Sequence, residues 1–434
     1  MENFKINGGR KLAGEISING SKNATVAILA ASLLNKGKTI LNNVPQIEEV
    51  NRWLEVLGSI GVVIEKSGSQ LILAPPKKIN LKKIDKSAAQ KTRSVILLIG
   101  ALIRQFKKYS IPQAGGCKLG KRTVKPHLFV LENFGLSVEA SKDSYEIDAS
   151  QFSPAGEFVL YESGDTVTET ALLAAAQIEK KTIIRMATSN YMVQDLCFFL
   201  QQLGVKIKGI GTSTLEVVGL SEIKKEVTYE ISEDPIEAMF FIALAITTES
   251  NLMIKRCPIE FLELELLKLK KMGQRFEIRR QYFSKNKKTR LIDLAIYPSK
   301  LTAPEEKIHA LPFPGINQDN LPFFVPICMK AKGRTLIHDW AFENRAVYFT
   351  ELNRLGGKIT LLDPHRVYVE GPTKFTHAEM MAPPALRPAA IILVAMLAAS
   401  GKSVLRDVYS INRGYENIAE RLQSLGAEIE MTEE

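Results

Sequence analysis

The stretch 112–122, PQAGGCKLGKR, sets Cys117 between two glycines and the cations Lys118, Lys121 and Arg122. A thiol beside positive charge has a lowered pKa and a larger reactive thiolate fraction. The same position also suits a small loop residue, and the segment alone fits both readings. Lys22 and Asn23 stand at the head of an apolar run, ATVAILAASLL. Backbone N–H groups at a helix start, with a lysine beside them, favour an anion; a lysine there can equally well face water. Asp319 closes the loop PFPGINQD (312–319), where aspartate commonly serves as a turn residue. Asp234, before Pro235, reads as a helix cap. Arginines 93, 122, 345, 387 and 413 carry the planar fork that matches carboxylate and phosphate. Together the cations favour an anionic partner.

Composition narrows the classes. The 434 residues carry a formal charge of +10, which favours anionic partners. The lysines are dispersed, without the interleaved aromatics of an RNA-binding surface, so no nucleic-acid partner is expected. Cys117, Cys197, Cys257 and Cys328 lie far apart and form no CxxC pair, against both a zinc site and a disulfide framework. Neither an apolar signal-type core at the amino terminus nor a membrane-length apolar run is present, so a cytoplasmic protein with no membrane partner is expected.

The elements that must position these residues repeat. Six apolar segments of helical length begin near residues 24, 94, 170, 238, 321 and 389. They are apolar nearly all round and are expected to be buried helices. Pro322 and Pro326 should shift the start of the fifth or kink it. Each is followed by a short β-branched strand such as KTIIRMA or KSVLRDV, and then by an amphipathic helix. That helix ends in an apolar–Gly pair: Gly58, Gly135, Gly204, Gly273, Gly356 and Gly426, each expected to take a left-handed C-terminal cap. A further strand follows. The glycines recur every 69 to 83 positions. One unit cannot bury its helices alone, so neighbours must pack on it, and three copies make a domain of about 200 residues.

Six such units in two domains resemble the enolpyruvyl transferases over essentially the whole chain. GSKNA (20–24), GGCKLGKR (115–122), PFPGINQD (312–319), FENR (342–345) and INRGYE (411–416) resemble the branch that uses UDP-N-acetylglucosamine as acceptor. The shikimate branch lacks the cysteine loop. The resemblance implies an α/β fold of two domains, each of three βαβαββ repeats (an inside-out α/β barrel), around an interdomain cleft. One domain would span 22–230 with the cysteine loop, the other 1–21 plus 231–434. It implies transfer of enolpyruvyl from phosphoenolpyruvate to the sugar 3′-hydroxyl with release of phosphate, the first committed step of peptidoglycan synthesis, without cofactor or metal.

By the same resemblance, Cys117 donates the C3 proton and is the residue alkylated by fosfomycin, Asp319 takes the hydroxyl proton, and Lys22 and Arg413 complete the catalytic set. Asn23, Arg93, Arg122, Thr123, Val124, Lys125, Ser163, Asp234, Phe342, Arg345 and Arg387 would bind the substrates. Four stretches depart from the family pattern. Ala385 stands where it has aspartate, Lys125 where it has an acid, Thr188-Ser189-Asn190-Tyr191 where it has Arg-Glu-Pro-Glu, and Ser410 where it has histidine. These departures admit two further readings: a paralogue with another nucleotide or nucleotide-sugar acceptor, and an inactive binding paralogue.

Overall fold

The structure, a computed structural model, describes residues 2–115 and 123–433. The described chain forms two compact units, residues 20–115 with 123–232, and residues 2–19 with 233–433.

In the 20–232 unit, helices Lys22–Ser32, Leu97–Leu102 and Asp165–Ala175 touch one another at the centre. Their apolar side chains are buried on every side, as helices without a polar face must be. Amphipathic helices Glu48–Ser59, Lys125–Asn133 and Tyr191–Gln202 accompany them. Three small sheets complete the unit. Their strands alternate, as in Gln70–Ala74, where Leu71 and Leu73 are buried between half-buried neighbours.

The 233–433 unit repeats this plan around helices Pro235–Thr247, Phe324–Lys330 and Leu386–Ala398. Two of its sheets draw on distant chain. Strand Glu2–Gly8 inserts between Gly401–Arg406 and Glu428–Glu433, antiparallel to both. Strand Ala13–Ser17 pairs in parallel with Asn251–Pro258. In the other unit, Val227–Glu230 pairs in parallel with Thr39–Asn42. The last repeat of the chain thus borrows its missing strand from the first residues.

Two local expectations are modified. The fifth apolar segment begins as a 3-10 turn, Leu321–Phe323, and becomes α-helical only at Phe324. Pro326 has no N–H to donate to the Pro322 carbonyl four residues back, which suits the looser start. The glycine cap holds at Gly135, Gly204, Gly273, Gly356 and Gly426, all with positive φ, but Gly58 lies inside helix Glu48–Ser59. There the chain runs one turn further, and Gly61 takes the left-handed conformation at φ 104°.

Glu169 is an acid in an apolar centre, on the buried helix Asp165–Ala175. Burial holds its carboxyl well above the usual range, and the like charge of Asp165 adds to this. Below pH 4.5 both folded and unfolded chains hold this proton; at higher pH the unfolded chain releases it first. Stability from this group is therefore greatest below about pH 4.5 and falls as pH rises toward the raised folded value. Glu169→Gln is expected to flatten that slope and to exceed wild type at about pH 8, because the amide fills the same buried place with no proton to lose, by about 1.4 kcal/mol for each pH unit by which burial raises the folded pKa, up to that pH. Urea denaturation at about pH 5 and about pH 8 checks it, and equal slopes for the two proteins would refute it.

Candidate active site

In the 233–433 unit, the loop before helix Phe324–Lys330 is held by Glu265 of helix Glu263–Lys271. Its buried Oε1 accepts from Asn317 N–H (3.2 Å) and Asn320 Nδ2 (2.8 Å). Burial raises the Glu265 carboxyl above its ordinary value. Asn317 Oδ1 in turn accepts from Asp319 N–H at 2.8 Å, which fixes the backbone of the predicted carboxylate.

Asp319 is a quarter exposed, between two nearly buried guanidiniums: Oδ1 lies 3.6 Å from Arg345 Nη1, and Oδ2 lies 3.4 Å from Arg387 Nη2. Arg345 opens helix Arg345–Phe349, donates through Nε to the carboxylate of Asp339, and donates through Nη2 to Gln318 O at 2.6 Å. Its guanidinium carbon sits 3.9 Å over the Phe342 ring. Asp339 is fully buried, and burial raises its carboxyl above the ordinary range while Arg345 pulls it back. Arg387 donates to the Tyr415 hydroxyl at 3.0 Å, and burial pushes that phenol's pKa up. Four of the named residues, Asp319, Phe342, Arg345 and Arg387, therefore meet.

Ala385 is the N-cap of helix Leu386–Ala398 and offers no side-chain cap. It packs against Phe342, with Ala341 and Tyr348 beside them. An apolar contact fills the position where the family has an acid. Ser410 donates to Pro383 O at 3.1 Å. Asp234 caps helix Pro235–Thr247, accepting from Ile236 N–H (2.8 Å) and Glu237 N–H (3.3 Å). Arg413 follows the short helix Tyr409–Asn412 and is half-buried.

In the 20–232 unit, Lys22 and Asn23 open the first buried helix, which Ser21 caps through its Oγ. Asn23 Nδ2 donates to the Tyr191 hydroxyl at 2.9 Å. Tyr191 opens helix Tyr191–Gln202 behind the cap Asn190, whose Nδ2 donates to Asp165 Oδ2 at 3.2 Å. Thr188 Oγ1 donates to the other Asp165 oxygen at 3.1 Å. The divergent stretch 188–191 is thus tied to Asp165 and Asn23 by hydrogen bonds.

A cavity of about 300 Å³ in this unit is lined by Arg93, Gln113, Thr123, Val124, His127 and Tyr145, among others. His127 Nε2 and Thr166 Oγ1 are 2.9 Å apart. Burial, then the charge of Arg93, lower the His127 pKa to about 4, so the ring is neutral near pH 7. At Gly115 a Cβ would lie 1.6 Å from Gln90 O, so this close approach requires glycine. Lys125 begins helix Lys125–Asn133, is exposed, and is not among the residues lining the cavity. Ser163 is exposed two residues ahead of helix Asp165–Ala175. Cys117 and Arg122, with Lys118 and Lys121, lie outside the described residues.

Sequence reasoning missed Asp339, Glu265 and Asp165. Asp339 had a signal in hindsight: it follows a strand and stands six residues before Arg345, close enough to turn back on it. Glu265 and Asp165 had none, because their partners are named only by the folded chain.

Comparison with known proteins identifies the family. The profile of the EPSP synthase (3-phosphoshikimate 1-carboxyvinyltransferase) family matches residues 6–422. UDP-N-acetylglucosamine 1-carboxyvinyltransferase of Treponema denticola is 32% identical over 100% of both chains. UDP-N-acetylglucosamine 1-carboxyvinyltransferase 1 of Carboxydothermus hydrogenoformans is 33% identical over 99% of this chain and 98% of its own. Among solved structures, the enolpyruvyl transferase NikO from Streptomyces tendae superposes with a TM-score of 0.86 at 23% identity, covering 99% of each chain. An EPSP synthase from Acinetobacter baumannii does so at 0.75 and 17% identity over the full length of both. Sharing the fold of the solved structures, and a third of its sequence with full-length relatives, the chain belongs to the family of enolpyruvyl (1-carboxyvinyl) transferases.

Proposed function

We propose that the protein transfers the enolpyruvyl group of phosphoenolpyruvate to the 3′-hydroxyl of UDP-N-acetylglucosamine in the cytoplasm, the first committed step of peptidoglycan synthesis. The observation that carries this reading is the Asp319 carboxylate set between Arg345 and Arg387, with its backbone tethered by Asn317. In the reaction the sugar oxygen bonds to C2 of phosphoenolpyruvate. Asp319 accepts the hydroxyl proton and Cys117 delivers one to C3. Loss of a C3 proton then expels phosphate and restores the double bond. Fixed arginines suit this sequence, because charge develops on carboxylate and phosphate oxygens and donors already in place need no reorganisation. Lys22 and Arg413 serve as further cations on the phosphoenolpyruvate oxygens, and Arg93 with the cavity beside it serves the acceptor.

The test is release of inorganic phosphate from phosphoenolpyruvate with a panel of nucleotide sugars and nucleotides. UDP-N-acetylglucosamine is expected to support turnover best. A stronger response to another acceptor would replace it with that acceptor, and no release with any would mark an inactive paralogue.

Thiol chemistry gives an independent check. Cys197, Cys257 and Cys328 are buried, and burial pushes their thiols up, that of Cys328 to about 12. Buried protonated thiols are poor nucleophiles. Fosfomycin is therefore expected to modify Cys117 and to leave the other three unlabelled in the native protein. Peptide mass mapping that finds any of those three modified first would contradict this.

A further inference from the structure

One sheet of the 233–433 unit gathers cations on a face the proposed reaction does not use. Its strands lie in the order Ile308–His309, Gly333–His338, Arg366–Gly371 and Lys358–Asp363. Alternation sends Ile308, Ile337 and Val367 into the core and their sequence neighbours to the opposite face. The register sets His309 beside His338, His338 beside Arg366, and Arg366 beside Asp363, one row across four strands. Lys307 precedes the first strand, and His365 sits in the turn before Arg366. Three of the chain's five histidines thus meet at one place.

Lys307, Leu336, His338, Asp363, His365 and Arg366 line a cavity of about 260 Å³ there. Its single acid is already engaged: Asp363 Oδ2 accepts from Arg366 Nε at 2.6 Å and Oδ1 from His365 N–H at 2.9 Å. Among the described residues no three side chains converge as metal ligands. His365 Nδ1 lies 2.9 Å from Asp339 O, a carbonyl that can only accept, so Nδ1 carries the proton. The ring's Nε2 becomes a donor only when the imidazole takes a second proton.

We propose that this cavity is a second anion site, binding a phosphate dianion, free or as a phosphomonoester, through Lys307, Arg366, His338 and His365. Binding draws a proton onto the His338 imidazole. Burial first, then the charges of Lys307 and Arg366, hold His338 below its ordinary pKa, with His309 adding to them and Asp363 opposing. His309 is lowered by burial, by Lys307 and by Lys268 of helix Glu263–Lys271. An anion in the cavity offsets those cations, so its affinity rises as pH falls. The site is one hydrogen bond from Asp339, yet its test reads binding and stands whichever acceptor the enzyme uses.

The experiment is NMR of the full chain labelled at histidine Cε1, with signals assigned by single His→Gln variants. Inorganic phosphate and, separately, glycerol 3-phosphate are titrated at about pH 6 and about pH 8 against sodium chloride of equal ionic strength. The His338 and His365 signals should shift saturably, and the affinity for the dianion, corrected for the monoanion fraction of each probe at that pH, should be about tenfold higher at the lower pH for one proton taken up. His377, which meets Ser400 O just ahead of strand Gly401–Arg406, should stay still. A Lys307→Ala/Arg366→Ala double variant should lose the shift, while a Lys268→Ala variant keeps it. Tighter binding of the ester identifies a phosphomonoester ligand, and equal binding identifies free phosphate. The proposal is overturned if neither probe shifts His338 and His365 at millimolar concentration, if the double variant responds as wild type does, or if His377 moves in parallel.

Discussion

Arg345→Leu is expected to destabilise the 233–433 unit by about 3–5 kcal/mol, because it leaves the buried Asp339 carboxylate without its cation. Arg345 and Asp339 are both almost wholly inaccessible, and the arginine also satisfies the carbonyl of Gln318. Removing both charges is a different matter. Asp339→Leu combined with Arg345→Leu should recover most of the loss, since two desolvated charges then leave together. The two tryptophans make the measurement selective: Trp53 lies in the 20–232 unit and Trp340 in the other. Urea denaturation followed by fluorescence in a Trp53→Phe background reports on the unit that carries Arg345. A double variant as unstable as Arg345→Leu alone would show that lost packing over Phe342, and not the orphaned charge, sets the cost.

Asp319→Asn should leave stability within about 1 kcal/mol, as expected for a partly exposed residue replaced by one of the same shape. Activity should respond far more strongly. Loss of a positioned proton acceptor typically costs about 10²–10⁴-fold in rate. The fall should lie in kcat, with the KM for phosphoenolpyruvate little changed, because the amide removes the base while both arginines remain. Steady-state phosphate release checks the split. A raised KM at unchanged kcat would make Asp319 a substrate anchor and move the base elsewhere.

Several features were legible from the chain alone because they arise from neighbours in sequence. Segments apolar on every face, such as AMFFIALAIT, can only be buried helices, and helix Pro235–Thr247 is buried throughout. Short alternating stretches such as KSVLRDV form strands because every second side chain must face the helices, as Ser403 and Leu405 do in Gly401–Arg406. Five of the six periodic glycines take positive φ, a conformation that a Cβ disfavours. The motifs around Asp319, Phe342, Arg345 and Arg387 mark residues that meet, although 68 positions of chain separate Asp319 from Arg387.

Tertiary structure alone decided the rest. The family resemblance groups residues 1–21 with 231–434, but it does not say which strand they meet: Glu2–Gly8 completes the sheet of the final repeat, where Asn3 accepts from the Asp407 N–H across 404 positions of chain. Nothing local in either stretch states that partnership; open sheet edges and helices awaiting cover select it once the other elements have packed. Gly58 and Gly61 are both permitted caps, and the packed length of helix Glu48–Ser59 chooses between them. Glu265 and Asp165 carry no pattern in the sequence, since an acid is solvated or buried according to what the fold brings against it. The amino-acid sequence determined which elements form and which chemical groups they carry. Only the folded chain decided which charges are stripped of water and paired, because desolvation depends on neighbours that lie far away along the chain.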